Sequence, residues 1–125
     1  MEVVINVDFG GFGVSSEVMQ YLIDNKSDAI ILMPVMDADH FNKYTSNYND
    51  YGCIKATGNS IYVLKSGYDI RTNKDLIKAV KIFGKAANGK YASLKIVEIP
   101  DDISWFISVD DGGREHVSET HRTWR

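Results

Sequence analysis

Apolar positions along this chain follow two rhythms. Val3, Val4, Ile5 and Val7 form a β-branched run that stops at Asp8-Phe9-Gly10-Gly11-Phe12-Gly13, the pattern of a buried strand running into a glycine-rich turn. Val18, Tyr21 and Leu22 then recur at helical spacing, and Ser15 or Ser16 can serve as the N-cap. Ala29-Ile30-Ile31-Leu32-Met33 is a second short apolar run, ended by Pro34, and reads as a buried strand.

Over residues 36–51 the chain turns polar and aromatic, with Phe41, Tyr44, Tyr48 and Tyr51 among Asn, Asp and Ser. This reads as a long loop or a frayed helical excursion. Cys53-Ile54-Lys55-Ala56, then Gly58-Asn59, then Ser60-Ile61-Tyr62-Val63-Leu64 predict a β-hairpin, because Gly-Asn pairs supply the positive φ that tight turns need. Asn73 caps a predicted helix through Phe83, whose apolar face is Leu76, Ile77, Val80 and Phe83, with Gly84 as its stop. Leu94–Ile99, Ser104–Val109 and Glu115–Glu119, divided by Pro100-Asp101-Asp102 and by Asp110-Asp111-Gly112-Gly113, predict an antiparallel meander. Strands and helices mix without a regular βαβ repeat, so the expected class is α+β, a mostly antiparallel sheet with two main helices.

The 125 residues suit one domain, 1–125, and the 44% hydrophobic and 25% charged composition is that of a globular chain. A net charge of -3 and a pI near 5.5 argue against wrapping duplex DNA, since Lys and Arg on phosphates dominate such binding. A small anion remains open, because a few arginines in one pocket can oppose an acidic surface elsewhere. Cys53, the sole cysteine, leaves no intramolecular disulfide and fits a reducing compartment. No signal sequence and no membrane-spanning run are visible, so the expectation is a cytoplasmic protein with no membrane partner.

The candidate chemistry is sparse. Gly10, Gly11 and Gly13 between a strand and a helix suit an anion-binding loop, but no Walker lysine follows, and a tight turn with Phe12 in the core explains them first. Arg71 precedes the Asn73 cap at the end of a helix where cations are unfavourable. A surface pair with Asp69 or Asp75 accounts for it; holding a phosphate jointly with the helix start is the sharper alternative. Residues 87–90 read as a left-handed turn, and Glu98, Asp101 and Asp102 as a solvated corner. His40, His116 and His121 show no zinc spacing, and no nucleophile motif appears, so neither metal nor cofactor is expected. The aromatics at 41–51 suit either a nucleobase or a neighbouring subunit. The closing His121-Arg122-Thr123-Trp124-Arg125 sets a large ring between arginines, a composition for binding.

Taken together, Gly10-Gly11-Phe12-Gly13, Arg71-Thr72-Asn73, Ala87-Asn88-Gly89, Ile96-Val97-Glu98-Ile99-Pro100-Asp101-Asp102 and His121-Arg122-Thr123-Trp124 resemble the phage Thoeris anti-defence protein 1 family. That resemblance spans most of the chain and is strongest after Ile70. It implies a homo-oligomeric sponge in the host cytoplasm that sequesters cyclic ADP-ribose isomers (glycocyclic ADP-ribose) made by bacterial TIR-domain proteins, with pockets near subunit interfaces. Some members are thought to hold cyclic oligonucleotides at a separate site. Carried onto this sequence, it implies Arg71 and Arg122 on phosphates, Phe12 or Trp124 against the base, and Asn88 and His121 as hydrogen-bonding groups, beside the Gly10 and Gly11 loop. The chain departs from the family at Val7-Asp8-Phe9, where an Asn, a Cys and an aromatic are expected, and Asp8 sets a negative charge beside the loop. Asn6 and Phe9 are secondary candidates. Two other classes stay open: a small phosphodiesterase or ADP-ribose hydrolase using Glu98, Asp101, Asp102 or His121, and a phage accessory protein that binds a host protein.

Overall fold

The computed structural model describes residues 1–34, 54–56 and 60–119. The aromatic stretch at 36–51, Cys53, the Gly58-Asn59 turn and the His121–Arg125 end lie outside the described residues.

The first strand, β1 (Glu2–Asn6), is buried on both faces: Val3, Val4, Ile5 and Asn6 are all inaccessible or nearly so. Its side chains alternate between two apolar clusters, as the period of two requires. Val4 faces the larger cluster, built with helices α1 (Ser16–Asp24) and α3 (Lys74–Phe83), while Val3 and Ile5 face a smaller one with Ile99 and Ile107. Val18, Met19 and Leu22 of α1 and Leu76 of α3 are fully buried, each worth about 1.5–3 kcal/mol relative to exposure. Ser15 caps α1 by accepting the Val18 amide at 3.3 Å. Asn73 caps α3 by accepting the Asp75 and Leu76 amides at 2.9 and 3.1 Å. Both helices begin at residues whose short polar side chains satisfy otherwise unpaired amides.

All strand pairing among the described residues is antiparallel, in three small sheets. The predicted α+β character, with α1 and α3 as the main helices, therefore holds. β2 (Ile30–Pro34) and β3 (Ile54–Lys55) flank β4 (Ser60–Leu64), as the hairpin reading requires for the last two. The meander is corrected. β5 (Leu94–Glu98) does not join the next strand but pairs along the whole of β1, from Glu2 opposite Glu98 to Asn6 opposite Leu94. Only β6 (Trp105–Val109) and β7 (Glu115–Glu119) form a hairpin with each other. The buried run of β1 needs a partner that covers its backbone, and β5 is the neighbour that supplies it.

Three further boundaries differ. A four-residue helix, α2 (Tyr68–Arg71), opens after Gly67, so Arg71, while it does precede the Asn73 cap of α3, also closes a helical turn of its own, where a cation is favourable. Gly84 (φ 56) ends α3 but leads directly into a 3₁₀ turn, Gly84–Ala87. Asn88 is extended (φ -69, ψ 132), so the expected left-handed turn at 87–90 is absent. Asn88 instead bridges to Val14, with Gly89 N–H donating to Gly13 C=O at 3.0 Å. Among the described residues, no helix is long and apolar enough to cross a membrane.

Candidate functional site

The Arg71 guanidinium lies 3.7 Å from the centroid of the Phe12 ring. Its two terminal nitrogens reach the Glu115 carboxylate at 2.6 and 2.8 Å, and one of them also donates to Val4 C=O at 3.3 Å. The two side chains are 14% and 5% exposed, so this is a buried bidentate ion pair, with the planar fork geometry that only Arg provides. Glu115 Oε1 also accepts the Asn6 amide at 2.8 Å. The arginine's partner is therefore neither Asp69 nor Asp75 but a carboxylate 44 residues away on β7. Its charge is matched within the fold, and what it adds to its surroundings is a flat cationic plane stacked on an aromatic ring.

Phe12 and Arg71 line one wall of an open cavity of about 390 Å³, whose other walls come from Val14, Val63, Leu64 and the Lys65-Ser66-Gly67 segment that opens α2. That volume is within the range of small-molecule sites. Lys65 lies on the exposed rim, and among the described residues no carboxylate pairs with its ammonium. Its backbone is fixed by donation from Lys65 N–H to Ala29 C=O at 2.9 Å. Apolar wall, stacked ring and cation converge here, a set suited to a planar heterocycle carrying negative charge. A second cavity of about 290 Å³ adjoins the first, sharing Lys65, Ser66 and Ile70 and adding Asp28, Asp69 and Asn73.

Gly10, Gly11 and Gly13 belong to a junction where three backbone segments touch. Gly10 N–H donates to Gly112 C=O at 2.6 Å. A methyl group at Gly10 would come within 2.6 Å of Tyr91 Cβ, one at Gly89 within 2.8 Å of the Gly13 carbonyl carbon, and one at Gly113 (φ 93) within 2.6 Å of Gly11 N. These contacts explain the glycines through packing. A small space of about 90 Å³ remains between residues 10–13 and 89–92. Asp8 closes the turn, its carboxylate accepting from Phe9 N–H at 2.8 Å and Ser93 Oγ at 3.1 Å.

Asn6 is fully buried and uses its whole amide: Oδ1 accepts from Asp8 N–H and Ser93 N–H, and Nδ2 donates to Asp8 C=O and Gly113 C=O. Asn88 Oδ1 accepts the Leu94 amide at 2.8 Å, so this predicted ligand group anchors the start of β5. Phe9 is exposed, with the Arg114 guanidinium 5.6 Å from its ring centroid. Of the predicted site residues, Phe12 and Arg71 meet at the larger cavity, while Gly10, Gly11 and Asn88 lie around the glycine junction. Arg122, Trp124 and His121 lie outside the described residues. Glu98 and Asp101, proposed for hydrolysis, hold the Met1 ammonium at 3.2 and 2.7 Å, and the Asp101 hydrogen bond leads in raising that amine's pKa. Among the described residues, no group of three or more His, Cys, Asp or Glu is placed to hold a metal ion.

Sequence reasoning missed Lys65, Ser66 and Glu115. Gly67 before a short polar-to-apolar switch was the available signal for the first two; for Glu115 the pairing spans too much sequence to leave one. No family profile, curated protein or solved structure matches the chain.

Proposed function

We propose that this protein is a non-enzymatic sponge that binds a cyclic ADP-ribose-type nucleotide in the larger cavity and releases it unaltered. In the setting that the family resemblance implies, it is a homo-oligomeric phage protein that withholds a TIR-derived signal in the host cytoplasm and so blocks Thoeris immunity. The observation that carries the reading is the Phe12–Arg71 stack on the wall of a cavity of about 390 Å³ that Lys65 also lines.

The base lies against the aromatic and guanidinium planes, where stacking is favourable by about 1–3 kcal/mol per base. The phosphates lie at Lys65 and Ser66, since the Arg71 charge is already met by Glu115. Arg71 thereby moves from phosphate ligand to stacking partner. Sequestration asks for retention alone, and the groups lining this cavity offer contacts of that kind.

The test is to incubate the protein with cyclic ADP-ribose, remove free ligand, denature by heat and identify what is released. Intact ligand, with an affinity about tenfold weaker in Lys65→Ala, supports the sponge; tenfold is 1.4 kcal/mol, a modest charge-assisted bond at an exposed rim. Cleaved ligand means a hydrolase. No retained ligand, or an affinity indifferent to both Lys65→Ala and Phe12→Ala, removes the cavity from consideration.

A further inference from the structure

One wall of the larger cavity is set by residues that do not reach it. Among the described residues, none from β6 or β7 lines that cavity, yet the Phe12–Arg71 stack is anchored on the β6–β7 hairpin. Glu115, the first residue of β7, takes both terminal nitrogens of Arg71 at 2.6 and 2.8 Å, which fixes the plane of the guanidinium as well as its place. The other hydrogen bond of that group, to Val4 C=O at 3.3 Å, engages one nitrogen and so does not set a plane. α2, which carries Arg71, is a single turn without a side-chain cap.

The same end of the hairpin is tied to the segment that carries Phe12. Gly112 C=O accepts from Gly10 N–H at 2.6 Å, Gly113 C=O accepts from Asn6 Nδ2 at 3.1 Å, and Glu115 Oε1 accepts Asn6 N–H at 2.8 Å. The Phe9 ring lies so close over Gly112 that a Cβ there would overlap it. Ring and guanidinium are thus both registered against residues 112–115, Phe12 through the segment before it and Arg71 through Glu115.

Taking the nucleotide reading of the larger cavity as its basis, we propose that Glu115 is a positioning residue of that site, acting through Arg71, and that ligand binding is thereby coupled to closure of the β6–β7 hairpin. The hairpin packs on the smaller apolar cluster, Val3, Ile5, Ile99 and Ile107, and regions with few buried apolar contacts open most readily. A hairpin that lifts away takes Glu115 with it and leaves the guanidinium free to turn off the Phe12 ring. A ligand stacked on that wall binds the closed form more tightly. A ligand shifts an equilibrium by the difference between its affinities for the two states, so it holds the hairpin closed without touching it.

Hydrogen exchange followed by mass spectrometry tests this on the wild-type chain and on Glu115→Gln, each with and without cyclic ADP-ribose at 100 times its own Kd from isothermal titration calorimetry. Thermal melting first confirms that the variant is folded. Linkage at that concentration allows slowing of up to about a hundredfold, and in the wild type the amides at 105–109 and 115–119 should slow by about fivefold or more. In Glu115→Gln the ligand should slow them less than twofold; a folded variant that no longer retains ligand supports the positioning role equally. Unchanged hairpin exchange in the ligand-bound wild type overturns the coupling while leaving the nucleotide reading intact, and this arm decides whether or not the variant folds. Equal slowing in both proteins overturns the role of Glu115. No heat on titrating the wild type overturns the nucleotide reading, and the coupling with it.

Discussion

Glu115 is the residue on which most depends. A buried carboxylate is costly unless its charge and its lone pairs are met. Here both are: Arg71 grips both oxygens, and the Asn6 amide takes a further site on Oε1. Removing either partner strands the other charge in a poorly hydrated place. We expect Glu115→Ala and Arg71→Ala each to lower unfolding free energy by about 3–5 kcal/mol, a large share of the roughly 5–15 kcal/mol typical of a domain. The double variant should cost clearly less than the two losses added together, as coupled neighbours do. Urea denaturation of the four proteins reads this directly, and additive losses would mean that the pair contributes nothing as a pair. Asn6 is a second case of complete satisfaction. Asn6→Ala leaves the Asp8 and Ser93 amides without their side-chain acceptor, and the expected loss is about 2–3 kcal/mol, measured the same way.

At the scale of elements, the glycine junction distinguishes two kinds of glycine. Gly113 has both a positive φ of 93° and a neighbouring backbone nitrogen 2.6 Å from where a Cβ would stand, whereas Gly84 has a positive φ of 56° and open space around it. Gly84→Ala should cost about 1–3 kcal/mol, the backbone strain alone, since φ 56 with ψ -125 is a conformation that a Cβ disfavours. Gly113→Ala should cost more, because the 10–13 segment must also be displaced. Comparison of the two melting temperatures checks this, and equal shifts would show that the junction yields easily. The same elements show what the sequence makes legible. Ser15 and Asn73 announce their helices because capping is local chemistry, and the apolar spacing of Val18 and Leu22 or Leu76 and Val80 reports a buried face directly. The α2 turn is too short for any period to reveal, so the sequence shows Arg71 ahead of α3 but not that it also ends a helix of its own. The partner of β5 was hidden for another reason: an alternating strand shows that it has a covered face but not which distant backbone it bonds. Phe12 and Arg71 were recognisable as site candidates by residue type. That they are stacked, and that Arg71 is neutralised by a residue 44 positions on, is a property of the folded chain alone.

Across the whole molecule, β1 is the element common to both apolar clusters, yet the two are unequal. The helical cluster gathers Val4, Val18, Met19, Leu22, Leu76 and Val80 with further neighbours, while the cluster under the β6–β7 hairpin rests on Val3, Ile5, Ile99 and Ile107. No β-ladder among the described residues joins β7 to β1; the smaller cluster, Glu115 and the hydrogen bonds from Gly10 N–H to Gly112 C=O and from Asn6 Nδ2 to Gly113 C=O help fasten the hairpin. Regions with fewer buried apolar contacts open at lower free energy than the global transition. Native-state hydrogen exchange should therefore find the β6–β7 amides less protected than those of α3. Glu115→Gln keeps an oxygen for the Asn6 amide but removes the charge that holds Arg71, so it should lower hairpin protection by more than it lowers that of α3. Equal protection throughout the wild-type chain, or an equal drop in both regions of the variant, would mean that hairpin and helices open as one unit. In the unequal case, Arg71 is steadied from a part of the fold that can open without the helices unfolding. The plane that it offers to the larger cavity then varies with the state of the hairpin, which links the stability of β7 to the stacking surface at Phe12.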